Sequence, residues 1–188
     1  MSRGRLRLMC AAAIIGVTLS ACGGKDEPME TTTNQPICEL VKPALAAQVF
    51  GSKEVRTTGD GAVSKKARTT RPASCSITPA DASQPVIQVR IGEITDSADY
   101  WRGQLKQEAA KAGCKLSYTD DPGFGYACDY ETGMYNPGSS VDVLRGDRII
   151  RVVIYKWSGS THEQRLRIAE EVVADADANL TAYDARAS

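Results

Sequence analysis

The sequence predicts an α+β fold in which an antiparallel sheet is sandwiched by about three helices in one compact domain stapled by disulfides. Three observations lead to this class. Strand-like segments occur in pairs joined by short turns, which makes the paired strands antiparallel. Three other segments carry apolar residues at helical spacing, and cysteines are spread among these elements. A hydrophobic content of 42% in 188 residues is enough for the core of one such domain.

The first two helices are predicted from their ends. The first occupies residues 38–51, with Pro43 in its first turn and Gly51 as its C-terminal cap. The second begins after Asp96 or Ser97, either of which can cap a helix, and ends at Gly113. It carries an apolar stripe made of Trp101, Leu105, Ala109 and Ala112.

The third and longest helix is predicted to lie across the sheet. Ser160 and Glu163 have the spacing of a capping box at its start. Residues 184–188 are expected to form a frayed tail. The apolar positions of this helix follow the helical period at Leu166, Ala169, Val173, Ala176 and Leu180.

The strands are predicted at 73–77 and 85–94 and in two hairpins, 115–130 and 141–157. Apolar and polar residues alternate over 85–94, which is the period of a half-buried strand. Ile149–Ile154 is nearly all apolar and predicts a central strand that is covered on both faces. Residues 52–72 are polar and basic, and we expect mostly solvated loop there, with a strand in part of the segment, rather than a patch for anionic polymers.

The N-terminal segment has the order of an export signal. Arg3, Arg5 and Arg7 precede an apolar run over 8–17, and small residues follow. The run is about half of the ~20 residues that a membrane-spanning helix needs. Leu19-Ser20-Ala21-Cys22 resembles the bacterial lipobox, which implies cleavage before Cys22 and acylation of its thiol. More than one acyl chain gives stable membrane anchoring.

The predicted organisation has four parts. Residues 1–21 form the signal peptide, 22–36 the lipidated cysteine and a flexible tether, 37–183 the domain and 184–188 the tail. This places a monomeric domain on the outer face of the cell membrane. Loss of three arginines from a chain of zero net charge leaves a slightly acidic protein, so nucleic acid is not an expected partner.

Four cysteines of the exported domain are expected to form two disulfides. Four cysteines allow three pairings. In a hairpin turning near Asp121, Cys114 lies opposite Cys128, which favours that pair and leaves Cys38 with Cys75. A zinc site is the alternative, but the cysteines lack C-x-x-C spacing and the chain has one histidine.

The segment Cys38-x-Leu40-Val41-x-Pro43-Ala44, with Phe50-Gly51 and Cys75-Ser76-Ile77, is similar to a family of actinobacterial lipoproteins that carries a domain of unknown function. Its members share a lipobox, a polar tether and a Cys-x-Leu helix start, and Ile77 stands where they usually have an aromatic residue. The likeness covers roughly residues 19–180. It implies an α/β sandwich with an antiparallel sheet, and it implies no activity.

No catalytic constellation is predicted. His162, the one histidine, is expected to lie in a helix cap, and a Ser-His-Asp triad would have to use it. A ligand site is placed at Asp120 and Asp121 with Tyr126 and Tyr130, because carboxylates beside tyrosines can hold a sugar. Nearby Asp129 and Glu131 belong to the same acidic segment. No cofactor and no metal are predicted.

Three functions compete at this stage. The first is a non-catalytic binding or accessory module that recruits an envelope protein or a small ligand. The second is a carrier or sensor of a lipid, glycan or peptide held between sheet and helix. The third is a hydrolase that uses the carboxylates of 120–131, which requires two acids to converge in one cleft.

Overall fold

The structure is a computed structural model that describes residues 29–30, 34–51, 54–118, 123–130 and 137–187. The predicted signal peptide, Cys22 and the acidic pair Asp120 and Asp121 lie outside the described residues. None of the helices in the described part combines the length and hydropathy needed to cross a membrane.

The described residues form twelve elements. The strands are β1 (Met29–Glu30), β2 (Glu54–Gly61), β3 (Ala73–Pro79), β4 (Ile87–Glu93), β5 (Lys115–Tyr118), β6 (Gly123–Tyr130), β7 (Gly138–Arg145) and β8 (Arg148–Tyr155). The helices are α1 (Pro43–Phe50), α2 (Lys65–Arg68), α3 (Ala98–Ala112) and α4 (His162–Ala187). The eight strands make one antiparallel sheet in the order β1-β2-β3-β4-β8-β7-β6-β5. The α+β class and the antiparallel sheet are therefore confirmed.

One face of this sheet, which we call the α4 face, carries the main apolar core. Every second residue of β3, β4 and β8 points to it, and those positions are buried. Helices α1 and α4 cover this face with branched aliphatic side chains. Removal of this apolar surface from water, at ~25 cal/mol per Å², is the largest stabilising contribution in the fold. Its fully buried members include Ile77, Ile87, Ile91, Ile150, Val152, Ile154, Val172 and Leu180.

Two ion-pair clusters hold α4 at its ends. Near its start, the Arg165 guanidinium donates to Asp129 at 2.9 Å and to the Ser139 hydroxyl at 3.0 Å. Near its end, Arg148 donates to Asp177 at 3.1 Å and to Asp184 at 2.9 Å. Charges this close to the core are tolerated because each one has an opposite partner.

The second cluster also ties α2 to the sheet. Arg68 is fully buried and donates to Glu93 at 2.6 Å and to Asp184 at 2.5 Å. The strand expected in part of 52–72 is β2, but the expectation that the rest is solvated loop needs correction, since α2 follows it and buries Arg68. The expected frayed tail is also corrected, because α4 is helical through Ala187 and Asp184 lies in the cluster.

The opposite face, the α3 face, is covered over only part of its width. Leu105 and Ala109 of α3 pack against Tyr126, Cys128 and Leu144 of β6 and β7. Over β3, β4 and β8 the residues that point to this face are intermediate or exposed. The described helices thus sandwich one half of the sheet, and the expectation that β8 is covered on both faces is wrong.

The two disulfides join Cys38 to Cys75 and Cys114 to Cys128, which confirms the expected pairing. The first links the segment before α1 to β3, and the second links the end of α3 to β6. In β5 and β6, Leu116 lies opposite Tyr126, as the hairpin prediction requires.

Two local expectations need correction. The capping box of α4 is formed by Thr161 and Gln164, whose side chains accept from each other's backbone N–H at 3.2 and 3.0 Å. Ser160 instead bonds the backbone of Trp157. Within the predicted tether, Met29–Glu30 forms strand β1 and pairs with the start of β2.

Candidate functional site

Four charged or phenolic side chains form a row across the α3 face. Arg90 of β4 lies opposite Arg151 of β8, Arg151 lies opposite Asp142 of β7, and Asp142 lies opposite Tyr126 of β6. Directly opposed side chains of antiparallel strands are close neighbours, so the two arginines repel each other. A pair of like charges in the middle of a sheet does not stabilise the fold, and it marks this row as a candidate site.

Arg151 is held away from Arg90 by acids on its other side. Its Nε donates to Asp142, and its Nη2 lies 3.3 Å from the Glu108 carboxylate of α3. The same Glu108 oxygen accepts from the Tyr126 hydroxyl at 3.2 Å. Asp142 is almost fully buried. Arg151 therefore belongs to a compensated network, whose members are Asp142, Glu108 and Tyr126.

Burial shapes the electrostatics of this network. Burial raises the pKa of Asp142 above its usual range, although Arg151 acts in the opposite direction. Burial also raises the pKa of Tyr126, helped by the charge of Asp142, so this hydroxyl remains a hydrogen-bond donor at neutral pH. Burial lowers the pKa of the Arg151 guanidinium, but the charge of Asp142 and its hydrogen bond outweigh this effect.

Arg90 and Arg151 are both exposed, but Arg90 differs from Arg151 because it makes no ion pair within the part of the chain that the structure describes. It lies where two grooves meet, and Arg151 is the other residue that lines both. The grooves have volumes of about 480 and about 400 Å³. Sites for small ligands have volumes of ~300–1,000 Å³.

The two grooves flank α3, and polar side chains contribute to the lining of both. The first lies between α3, the segment after α2 and the sheet, and its hydrogen-bonding or aromatic lining includes Thr69, Thr70, Thr95, Trp101, Gln104 and Glu108. The second lies at the C-terminal end of α3, and its lining includes Gln88, Tyr126, Tyr130, Ser140, Asp142 and Tyr155. Hydroxyl, amide and phenol groups of this kind suit a hydrophilic ligand.

The structure separates the residues of the predicted ligand site. Tyr126 and Tyr130 both line the second groove. Asp129 lies between them on β6 but points to the α4 face, where it contacts Arg165 and His162. Asp120, Asp121 and Glu131 lie outside the described residues.

A serine, a histidine and an aspartate meet on the α4 face, but their order is not that of a hydrolase. The Ser139 hydroxyl donates to Asp129 at 2.8 Å and lies 3.3 Å from His162 Nδ1. Nδ1 also lies 3.0 Å from the Asp129 carboxylate. In a catalytic triad the serine and the acid bind different nitrogens of the ring, and the serine is accessible. Ser139 is fully buried, so this cluster anchors α4.

The Asp129 carboxylate is set up as a structural anion. Its partial burial favours the neutral form, but hydrogen bonds from Ser139 and Arg165 and the nearby His162 ring hold its pKa below the usual range. Among the described side chains, no three His, Cys, Asp or Glu residues are placed to hold a metal ion.

Comparison of the chain with models of known protein families and with curated proteins finds no match. The candidate site therefore depends on geometry alone. Sequence reasoning missed Arg90 and Arg151, although both were visible as basic residues within apolar strands. Their pairing depends on the contact of β4 with β8, which brings together two residues that are 61 positions apart in the sequence.

Proposed function

We propose that this protein is a membrane-anchored extracytoplasmic lipoprotein that acts as a non-catalytic binding module of the cell envelope. Cys22 carries the lipid, and residues that follow it tether the domain to the outer face of the membrane. The resemblance to an actinobacterial lipoprotein family supports this assignment, as do the two disulfides, which are typical of exported proteins.

The single observation that carries the binding role is the open half of the α3 face. On the α4 face the charges at the ends of α4 lie in compensated clusters, whereas the α3 face exposes the two grooves that meet at Arg90 and Arg151. Ligand sites in proteins are mostly preformed concavities of this size in which a few polar groups are placed to orient the ligand. We assign recognition of a hydrophilic ligand to this surface, which we call the recognition face.

The packing of the α4 face and the polar groups of the recognition face argue against a carrier of lipid. A carrier of lipid would need an apolar enclosure between sheet and helix, whereas side chains from α1, α4 and the sheet pack together on the α4 face. The recognition face favours a glycan or a polar peptide over an acyl chain. The hydrolase alternative needs two carboxylates of 120–131 in one cleft, and the one that the structure describes, Asp129, binds Arg165 and Ser139 outside both grooves.

The anchor is tested by the variant Cys22→Ala in the native host. We expect the protein to move from the membrane fraction to the soluble extracytoplasmic fraction, because acyl chains supply its membrane affinity. Cys22→Ser provides a second variant with a side chain closer in size to the thiol. Retention of both variants in membranes would contradict the lipid anchor.

The recognition face is tested by a substitution that fills its second groove with a large side chain. Gln88 lies in the second groove, so Gln88→Trp should block that groove and reduce retention of envelope saccharides or peptides by the immobilised protein. Arg167→Trp is the matched control, because Arg167 is exposed on α4 and lies outside both grooves. Equal retention by both variants, with unchanged thermal midpoints, would place recognition elsewhere.

A further inference from the structure

Arg90 presents a charge that the described part of the protein does not neutralise. It points to the open half of the α3 face, on the same row as Arg151. On its other side in the sheet, its neighbour in register is Ser74, an uncharged residue. The guanidinium therefore has no acid opposite it on either neighbouring strand.

The acids nearest to the row are committed to other partners. Asp142 is buried and bonds Arg151, and Glu108 shares its carboxylate between Arg151 and Tyr126. The two arginines and the two acids together carry no net charge, but both acids bind Arg151, and within the described residues neither forms an ion pair with Arg90. A cationic ligand would be repelled by Arg90, while an anionic ligand would remove the repulsion between the two arginines.

We infer that the ligand of the recognition face carries an oxyanion, a carboxylate or a phosphate, and that the Arg90 guanidinium binds this group. The inference deepens the proposed binding function and depends on it. Guanidinium binds such groups through two parallel N–H···O bonds, which fixes the orientation of the ligand as well as its charge.

The grooves on either side of Arg90 identify the rest of the ligand. Trp101 lines the first groove, and its buried indole N–H has no acceptor among the described residues. In the second groove, the Tyr155 hydroxyl donates to Gln88 at 3.1 Å, which leaves the amide N–H groups of Gln88 available. Donors and aromatic rings on both sides of a cation suit an acidic saccharide that runs past Arg90.

The test is calorimetric titration of the purified full-length protein in nonionic detergent. Two pairs of probes differ in charge: trigalacturonate with its methyl ester, and glucose 1-phosphate with glucose. We expect at least one anionic probe to bind about tenfold or more tightly than its neutral partner, as the loss of one charged hydrogen-bonding contact predicts. The two pairs distinguish a carboxylate from a phosphate.

Three variants locate the effect. Arg90→Gln should weaken binding of the anionic probe about tenfold or more, and Arg90→Lys should retain part of the affinity. Arg102→Gln removes an exposed arginine of α3 that pairs with Asp99 at 2.9 Å, outside the grooves, and should leave binding unchanged. A thermal midpoint equal to that of the unaltered protein shows that each variant is folded.

Other results would overturn the inference. Equal affinity for the charged and neutral probes, an unchanged affinity of Arg90→Gln, or no binding of either anionic probe would each exclude an oxyanion held by Arg90. If neutral probes bind as tightly as charged ones and Gln88→Trp abolishes their binding, the oxyanion inference fails but the proposed binding function of the recognition face stands. Failure of Gln88→Trp to affect envelope retention would instead contradict the proposed function itself.

Discussion

The two faces of the sheet treat charge in opposite ways. On the α4 face, Arg68, Arg148 and Arg165 all meet acids at the ends of α4. On the α3 face, described acids compensate Arg151 but not its neighbour Arg90. Charges on the first face fix the position of a helix, whereas the second face retains a charge that no described residue pairs with. The difference separates the scaffold from the surface that we assign to recognition.

The helices that cover the two faces differ in how much apolar surface they bury. Helix α4 buries six apolar side chains on its face, among them Ile168, Val172 and Leu180. Helix α3 buries Leu105 and Ala109 and leaves its remaining edge along the first groove. A long amphipathic helix covers one face, and a helix with a narrow apolar stripe leaves the other face half open.

The largest effect is expected when a charge cluster of the α4 face is broken. Arg68→Ala leaves Glu93 and Asp184 without one of their partners in a buried site, and should lower the free energy of unfolding by ~3–5 kcal/mol. Urea unfolding measures this change. Arg71→Ala removes an exposed arginine 3.4 Å from Asp60 and should cost under ~1 kcal/mol. Similar losses in both variants would show that the buried cluster is not what holds α2 and α4.

The disulfides provide a second comparison, because each one lies on a different side of the molecule. The Cys38–Cys75 bond closes a separation of 37 residues and the Cys114–Cys128 bond one of 14. Loop-closure entropy predicts that they contribute ~4 and ~3 kcal/mol, respectively. Thermal melts of the Cys38→Ala/Cys75→Ala and Cys114→Ala/Cys128→Ala double variants test this order, and a lower midpoint for the second would reverse it.

Adjacent isoleucines of β8 compare the packing of the faces directly. Ile150 is fully buried on the α4 face, and Ile149 is partly exposed on the α3 face. Ile150→Ala should cost ~3 kcal/mol through lost burial and a cavity, and Ile149→Ala ~1 kcal/mol. Denaturant unfolding of the two variants gives the difference. Equal costs would mean that the α3 face is packed as tightly as the other.

Much of the scaffold could be predicted from local patterns. Residues 85–94 alternate with the period of a strand, Ser97 caps α3 as expected, and the hairpin register placed Cys114 opposite Cys128. The site could not be predicted in this way. An apolar run such as Ile149–Ile154 does not show which of its faces a helix will cover, so the exposure of Arg151 was missed.

The missed elements also depend on contacts between distant parts of the chain. Arg68 lies in a polar segment without an apolar period, and its burial depends on Asp184, 116 residues away. The capping box was displaced by one residue because Ser160 and Thr161 are both good N-caps, and the bond of Ser160 to Trp157 decides between them.

The smallest predicted effect compares one aspartate from each face by its pH dependence. Hydrogen bonds hold the pKa of Asp129 below its unfolded value of ~3.9, while burial holds the pKa of Asp142 above it. The stabilisation from Asp129 is therefore present above that value and is lost as the pH falls through the folded pKa. For Asp142 the folded state binds the proton more tightly, so stability is lost as the pH rises through its folded pKa.

Asp129→Asn and Asp142→Asn should thus change the acid limb of the stability curve in opposite directions. On acidification from about pH 6 to about pH 3, the unaltered protein should lose stability relative to Asp129→Asn and gain stability relative to Asp142→Asn. Urea unfolding at several pH values measures both differences, and their pH slopes separate protonation from any constant cost of substitution. Slopes of the same sign would show that folding shifts the pKa values of Asp129 and Asp142 in the same direction.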